Sequence, residues 1–260
     1  MLRQSLVILP GWGGSRETWS NFANLAKEKF SEVKIFNLPC FGDEPCPKDV
    51  WGVGEYADFV KSKIINNHKS EIRNLSRAPH PALCGAGRDP KSEIILLGHS
   101  FGGAVAVHLI ANNPNLASGL ILSGASVFRP KQTMRRLFFR CLAKCGQWIF
   151  KLPLIKKFEE AAKKLLYRVA GSSDYSKISG IKREIFKKII TEDQSRLLPK
   201  IQIPTLIVCG SKDRFVPLEY GKKIQRLLPG SKLVIFQGGK HGLHLQQPEE
   251  LLNTIINFIE

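Results

Sequence analysis

The sequence has few of the features that mark membrane, secreted or metal-binding proteins. Its 260 residues include six cysteines, and no pair of them has metal-ligand spacing. No apolar run reaches the roughly 18 residues of a spanning helix, because the longest candidate, 94–111, is interrupted by two histidines and a serine. The first apolar run, 6–9, stops at Pro10 and is too short for an export signal. We therefore expect a cytoplasmic protein with reduced thiols and neither metal nor cofactor.

Acidic residues are also scarce. The chain has 22 Asp and Glu against 39 Lys and Arg, which gives a formal net charge of +17. The excess is local, since residues 128–200 alone contain 19 basic and 6 acidic side chains. A local basic surface attracts anionic partners through its long-range field. No nucleic-acid-binding motif accompanies the charge, so we expect no nucleic acid partner.

Short apolar runs alternate with helical patterns along most of the chain. Such alternation predicts repeated βαβ units and a parallel sheet. Reactive groups in sheets of this type collect at the carboxyl ends of the strands. Residues 68–92 are polar and rich in proline and glycine, and they predict an exposed loop inserted in the core. The predicted strands are 6–9, 32–38, 94–97, 120–122, 205–209 and 233–236.

One turn has the pattern expected of a serine nucleophile. Residues 98–102 read Gly-His-Ser-Phe-Gly and lie directly between an apolar strand and a predicted helix. A nucleophilic serine on a strained strand-to-helix turn needs small neighbours, because other backbone approaches closely there. The helix that follows presents backbone N–H groups to developing negative charge. The G-x-S-x-G pattern alone is weak evidence, but this context makes Ser100 a candidate nucleophile.

A nucleophilic serine also needs a base and an orienting acid. Asp213 follows the predicted strand 205–209, and His241 follows the strand 233–236. Both therefore lie just past the carboxyl ends of strands, in the chain order Ser, Asp, His. The alternative is an Asp in a solvated loop and a surface His, but three independent positions agree on a catalytic set.

Taken together, the motifs resemble those of the α/β-hydrolase superfamily, in its cap-bearing serine esterase and lipase-like branch. The resemblance covers nearly the whole chain except 68–92 and the cap. The matching segments are an oxyanion loop at 9–15, a second loop at 37–42, the nucleophile elbow at 98–103, the acid loop at 210–217 and the histidine loop at 239–248.

The resemblance implies an α/β fold with about six mainly parallel strands flanked by helices and a helical cap inserted after the fourth strand. Residues 1–127 and 201–260 would form the core and 128–200 the basic cap. It implies Ser100 as nucleophile, His241 as general base and Asp213 as its partner. The remaining predicted site residues are Trp12 and Phe101 as oxyanion-hole N–H donors, and Gly11, His99, Phe128 and Val216 as lining of a substrate pocket.

The cap contains two amphipathic helical patterns with basic outer faces, and three interpretations compete. In the first, the apolar stripes roof the pocket and the basic faces are only solvated. In the second, the basic face binds an anionic partner such as an acidic carrier protein. In the third, the cap lies on an anionic lipid surface, with aromatic side chains inserted into it. Those aromatic residues are Phe138, Phe139, Trp148 and Phe150.

The function predicted from these residues is hydrolysis of a small-molecule carboxylic ester through an acyl-enzyme intermediate. An apolar cap would favour a substrate with an apolar group. The same scaffold could also serve an acyltransferase or a thioesterase that releases acyl groups from a carrier. A non-catalytic ligand receptor is a further alternative, although a pure receptor does not need an intact Ser100, Asp213 and His241.

Overall fold

Six parallel strands form one sheet in the described parts of the chain, residues 2–75, 94–129 and 179–260 of the computed structural model. Every neighbouring pair in the sheet is parallel, as the sequence predicted. The strands are β1 (Leu2–Leu9), β2 (Phe30–Ile35), β3 (Ile94–His99), β4 (Gly119–Ser123), β5 (Thr205–Gly210) and β6 (Lys232–Phe236).

Helices cover both faces of this sheet, because apolar side chains recur on one side of each helix. On one face, Trp19 and Phe22 of the first helix are fully buried together with residues of the last helix. The second, third and fifth helices pack on the other face. The described helices are α1 (Arg16–Lys27), α2 (Val53–Leu75), α3 (Phe101–Asn112), α4 (Gly180–Ile189), α5 (Leu218–Leu227), α6 (Leu243–Gln246) and α7 (Pro248–Ile259).

The strand order changes direction between β1 and β3. The order is β2-β1-β3-β4-β5-β6, so the chain winds outward in one direction from β1 and in the other from β3. Ligands of open parallel sheets bind at such a reversal, outside the carboxyl ends of the strands. The loops that follow β1 and β3 meet there, and they contain Trp12 and Ser100.

Helix α4 is held against the core by hydrogen bonds at its carboxyl end. The half-buried guanidinium of Arg129 donates to the carbonyls of Ile189 at 3.0 Å and Ser126 at 2.7 Å. Just beyond α4, the carboxylate of Glu192 accepts a 2.7 Å hydrogen bond from the N–H of Val53, the first residue of α2. These contacts join α4 to the β4 loop and to α2.

Helix α2 is longer than the sequence predicted. It continues to Leu75, so the prediction of an exposed loop beginning at residue 68 was wrong. The extension contains no proline or glycine, and its Lys, Glu, Arg and Leu residues are good helix formers. Residues 76–93, which include the rest of the predicted loop, lie outside the described part of the chain.

Most of the predicted cap lies outside the described residues. Of 128–200, the structure describes 128–129 and 179–200, which include α4 and a 3₁₀ helix at Ser195–Lys200. The two amphipathic patterns fall on 130–178, so their three interpretations stay predictions. No helix within the described ranges is long and apolar enough to cross a membrane.

The expectation of reduced thiols throughout was wrong. Cys40 and Cys46 form a disulfide in the loop after β2, with their Cα atoms 4.2 Å apart. Cys40 adopts a positive φ of 76°, and the carbonyls of Glu44 and Pro45 accept from its N–H, so the loop turns back on itself. This reversal brings two cysteines together that sequence spacing alone did not pair. The buried Cys209 is a free thiol.

Candidate active site

The turn between β3 and α3 is strained and closely packed. Ser100 has a φ of 52°, in the left-handed region that costs a non-glycine residue energy. A Cβ at Gly102 would lie 2.2 Å from the carbonyl oxygen of Leu9, so only glycine fits there. This close approach is the physical reason for the second glycine of the G-x-S-x-G pattern.

Backbone hydrogen bonds hold Ser100 in this conformation. Its N–H donates to the carbonyl of Ser123 at 3.1 Å, and its own carbonyl accepts from the N–H groups of Gly103 and Ser126 at 3.0 and 2.9 Å. The serine backbone is therefore fixed both to the end of β4 and to the first turn of α3. Such over-determination allows a strained conformation to persist.

The structure brings Asp213 and His241 together. Nδ1 of His241 lies 2.7 Å from Oδ2 of Asp213, so Nδ1–H donates to the carboxylate. The other oxygen, Oδ1, accepts from the N–H groups of Phe215 and Val216 at 2.8 and 2.9 Å. The Asp213 side chain is 1% exposed and that of His241 is 20% exposed. The carboxylate is thus buried and satisfied, while the imidazole keeps access to solvent.

Gly124, at the end of β4, packs directly against this pair. Its φ is 51°, and a Cβ there would lie 3.2 Å from Nδ1 of His241 and 3.3 Å from Oδ2 of Asp213. Any side chain at this position would press on the hydrogen bond between the two residues. Sequence reasoning missed Gly124, because a single glycine after a strand does not show what it faces.

The predicted oxyanion loop lies against the serine. A Cβ added to Gly11 would be 3.0 Å from Cβ of Ser100, so the backbone of the β1 loop borders the serine. The ring of Trp12 contacts that of Phe101, with centroids 5.8 Å apart. Phe101 is the first residue of α3, where backbone N–H groups have no partner within the helix. Gly11, Trp12 and Phe101 are thus brought together around Ser100.

Aromatic side chains pack together around Trp12. Its ring contacts Phe41 at 4.8 Å and Phe186 at 5.0 Å, measured between ring centroids. Phe101 also contacts the buried ring of Tyr56 at 5.1 Å. We call Trp12, Phe41, Phe101 and Phe186 the aromatic cluster. It includes one residue of α4, the first helix of the predicted cap that the structure describes.

Two buried histidines, His99 and His244, lie near His241. The ring of His99 lies 4.7 Å from that of His241, and its Nδ1–H donates to the carbonyl of Ser123 at 3.0 Å. His244 stacks on Trp19, with ring centroids 3.8 Å apart. Burial lowers the pKa of His99 well below its usual range, and it lowers the pKa of His244 to about 4. Both imidazoles are therefore neutral at pH 7.

Three of the residues predicted to line a substrate pocket, His99, Val216 and Phe128, lie in separate environments. His99 is buried behind His241, so its contacts are with the other imidazoles and with β4. Val216 is also buried, and it contacts Asp213 through its backbone N–H. The ring of Phe128 packs on Tyr220 of α5 at 5.4 Å. Phe215 was not predicted: the residue is 74% exposed, and its ring centroid lies 5.2 Å from that of His241.

No cluster of metal-binding side chains occurs within residues 2–75, 94–129 and 179–260. His99, His241 and His244 lie near one another, but Nδ1 of two of them is committed to a hydrogen bond and His244 is stacked on Trp19. What this arrangement can do is move a proton to and from His241. The site combines the solvent-accessible imidazole of His241 with the buried carboxylate of Asp213 and the strained turn at Ser100.

Comparison with known proteins shows which family this chain resembles. A model of the alpha/beta hydrolase family matches residues 6–254. The chain is similar to a proline iminopeptidase of Saccharolobus solfataricus, with 27% identity over 99% of this chain and 85% of the relative. It is also 28% identical to the mouse serine hydrolase BPHL, over 65% of this chain and 55% of the relative, so the match spans about half of that protein.

Solved structures show the same fold. An esterase from Exiguobacterium antarcticum superposes with a TM-score of 0.66 at 21% identity, covering 99% of this chain and 92% of the esterase. Identity this low supports the fold and not the substrate. Because the family model spans almost the whole sequence and the six parallel strands follow the same plan, this chain belongs to the alpha/beta hydrolase family.

Proposed function

We propose that the chain is a serine hydrolase that cleaves a carboxylic ester, with Ser100 as nucleophile, His241 as general base and Asp213 as orienting acid. The observation that carries this proposal is the 2.7 Å hydrogen bond from His241 to the buried Asp213, together with the positive φ of Ser100, whose chain neighbour His99 contacts the ring of His241. With Nδ1–H committed to the carboxylate, Nε2 is the nitrogen left to accept a proton.

In the acylation step, Nε2 of His241 removes the proton from Oγ of Ser100 as Oγ bonds to the ester carbonyl carbon. The carbonyl electron pair moves onto oxygen, and the backbone N–H groups of Trp12 and Phe101 stabilise this oxyanion. Collapse of the tetrahedral intermediate breaks the bond to the leaving oxygen. His241 gives its proton to that oxygen, and the alcohol departs.

In the deacylation step, water replaces the alcohol. His241 removes a proton from water as the water oxygen bonds to the acyl carbon, and a second oxyanion forms at the same N–H groups. Its collapse releases the carboxylic acid and returns the proton to Ser100. Asp213 keeps its charge throughout and stabilises the imidazolium formed in each step.

The aromatic cluster supports a substrate with an apolar group. Its rings border the predicted oxyanion loop and pack the β1 loop, the β2 loop and α4 together. Phe41 and Phe101 are buried, whereas Trp12 and Phe186 are partly exposed. Apolar surfaces with few polar groups are typical of small-molecule sites. The ester would place its carbonyl at Ser100 and its apolar group on the partly exposed rings of Trp12 and Phe186.

The test is hydrolysis of p-nitrophenyl esters from acetate to palmitate by the wild type and by Ser100→Ala. We expect activity with a chain-length optimum, and a loss of at least about 10³-fold in kcat in the variant. Ser118→Ala is the matched control, since that hydroxyl bonds to Ile94 at the opposite end of the sheet. Equal activity in wild type and Ser100→Ala would refute the proposal.

The same assay separates the alternatives on this scaffold. Ester product formed from an added alcohol in preference to the free acid would identify an acyltransferase. Faster turnover of acyl thioesters than of oxygen esters would identify a thioesterase. A folded wild type that turns over none of these substrates would favour the ligand receptor.

A further inference from the structure

One face of α4 covers the candidate oxyanion loop. Lys182 and Phe186 are four residues apart and therefore lie on the same side of the helix. Phe186 contacts the ring of Trp12 at 5.0 Å. Nζ of Lys182 lies 4.2 Å from the ring centroid of Phe41 and donates a 2.9 Å hydrogen bond to the carbonyl of Cys40. The aromatic cluster thus has a cation at its edge.

Helix stability does not explain a lysine at this position. Lys182 is in the first turn of α4, where the helix dipole disfavours positive charge, and that turn contains no acidic residue. The side chain is half-buried, and burial lowers its pKa. Within the described residues no carboxylate lies at ion-pair distance from its ammonium. Two other lysines of α4 do form ion pairs, Lys187 with Glu184 and Lys188 with Glu55.

The contacts of Lys182 lead to the reacting centre. Phe41 beneath the ammonium contacts Trp12 at 4.8 Å, and Trp12 contacts Phe101 at 5.8 Å. Phe101 directly follows Ser100 in the chain. The aromatic cluster therefore separates Lys182 from Ser100, with the cation at one end and the candidate nucleophile at the other.

We propose that Lys182 determines specificity by binding a carboxylate at the end of the substrate's acyl group. This rests on the proposed function and names its substrate class: esters of dicarboxylic acids, with the scissile ester at Ser100 and the free carboxylate at Lys182. An ammonium has three donors, of which one is used on Cys40. The other two can donate to a carboxylate, and a partly desolvated site strengthens such charge-assisted hydrogen bonds.

A purely structural role is the competing explanation. The bond from Lys182 to the Cys40 carbonyl also ties α4 to the β2 loop. A hydrogen bond with only that structural role would affect the hydrolysis of charged and neutral substrates equally. A specificity role would act only on substrates with a terminal negative charge, so the two roles differ in a measurable ratio.

The test uses matched pairs of substrates. Each p-nitrophenyl half-ester of a dicarboxylic acid, from succinate to sebacate, is compared with the p-nitrophenyl ester of the monocarboxylic acid of equal carbon number. At one chain length we expect the wild type to prefer the charged member. In Lys182→Gln we expect KM for that member to rise about tenfold, while kcat/KM for the neutral member changes less than about twofold.

Two variants complete the design. Lys182→Arg keeps the charge and is expected to retain the preference. Lys188→Gln removes a lysine of the same helix that also donates to a backbone carbonyl, that of Val50, and it is expected to leave the ratio unchanged. An equal fall for charged and neutral substrates in Lys182→Gln, or a wild type with no preference at any length, would overturn the proposal.

A binding measurement separates this proposal from the proposed function. Free dicarboxylates need no catalysis, so calorimetry of suberate against wild type and Lys182→Gln reports the anion site alone. Binding that weakens in the variant supports the site even where no ester turns over. Equal binding to both proteins, or none to either, contradicts it, while Ser100-dependent hydrolysis of neutral esters would still support the hydrolase.

Discussion

Nδ1 of His241 lies 2.7 Å from Oδ2 of Asp213, although the two residues stand on different loops. The loop after β5 brings the carboxylate and the loop after β6 brings the imidazole. Neighbouring parallel strands end at the same edge of the sheet, so the fold itself creates this pair. The hydrogen bond sets which nitrogen of His241 is available to a substrate.

Asp213→Asn is expected to lower kcat by about 10³- to 10⁴-fold. The amide can still accept from Phe215 and Val216, so the loop keeps its shape. It would, however, favour the imidazole tautomer with the proton on Nε2, which cannot accept the serine proton. Stopped-flow or steady-state ester hydrolysis measures the loss, and circular dichroism checks the fold. A loss below about tenfold would contradict the orienting role.

Gly124→Ala is expected to lower kcat without a matching change in KM. The added Cβ would lie 3.2 Å from Nδ1 of His241 and displace the ring. Gly230→Ala is the matched control, because Gly230 also has a positive φ but a Cβ there would meet nothing within 4 Å. Both variants should lose stability by about 1 kcal/mol from backbone strain. Equal activity in the two variants would show that contact with His241 does not matter.

Buried histidines predict acid-sensitive stability. The pKa of His244 is lowered to about 4 and that of His99 is lowered as well, chiefly by burial. The unfolded chain, with histidine pKa values of about 6.5, therefore binds more protons than the folded chain below that pH. The contribution of these histidines to the free energy of unfolding is fully present above pH 6.5. It falls as pH drops toward 4, by up to about 1.4 kcal/mol per pH unit for each histidine.

The measurement for this effect is urea unfolding between pH 7.5 and 4.5 for wild type and His244→Phe. Phenylalanine can keep the stacking on Trp19 but does not titrate. The variant should therefore lose less stability on acidification than the wild type. Carboxylates titrate in both proteins, so their effect cancels in the comparison. If the free energy of unfolding changed with pH in the same way in both proteins, His244 would not be buried in its neutral form.

The disulfide predicts a reductant-sensitive loop. Closing a loop as short as 40–46 stabilises the folded chain by about 2 kcal/mol in the chain-entropy account. Phe41 within the loop contacts Trp12, so loosening it should also disturb the oxyanion loop. Intact mass after alkylation, with and without dithiothreitol, counts the thiols that become accessible on reduction. Alkylation of Cys40 and Cys46 without reductant would contradict the disulfide.

The sequence could predict those parts of the molecule that depend on local pattern. Short apolar runs between turn residues indicated six strands, because a buried parallel strand needs nothing more than apolar side chains on both faces. The turn at Ser100 could be predicted because its glycines, strand β3 and helix α3 are adjacent in the chain. Asp213 and His241 could be predicted because each lies within five residues of the end of a strand.

What the sequence could not predict depends on contacts between distant segments. Gly124 matters through a contact with the His241 loop, more than a hundred positions away. The placement of Lys182 over Phe41 requires α4 to dock on the β2 loop. Strand β1 begins at Leu2 because its polar first half pairs with β2, whereas an apolar-run criterion began it at residue 6.

The central claim is that Ser100 forms the covalent intermediate, and adduct mapping tests it most directly. The protein is treated with a fluorophosphonate, which reacts with activated serines, and the modified peptide is identified by mass spectrometry. We predict a single adduct on Ser100, absent from Ser100→Ala and much slower to form in Asp213→Asn. Modification of another residue at the same rate, or an unmodified Ser100 in protein that hydrolyses esters, would contradict the account.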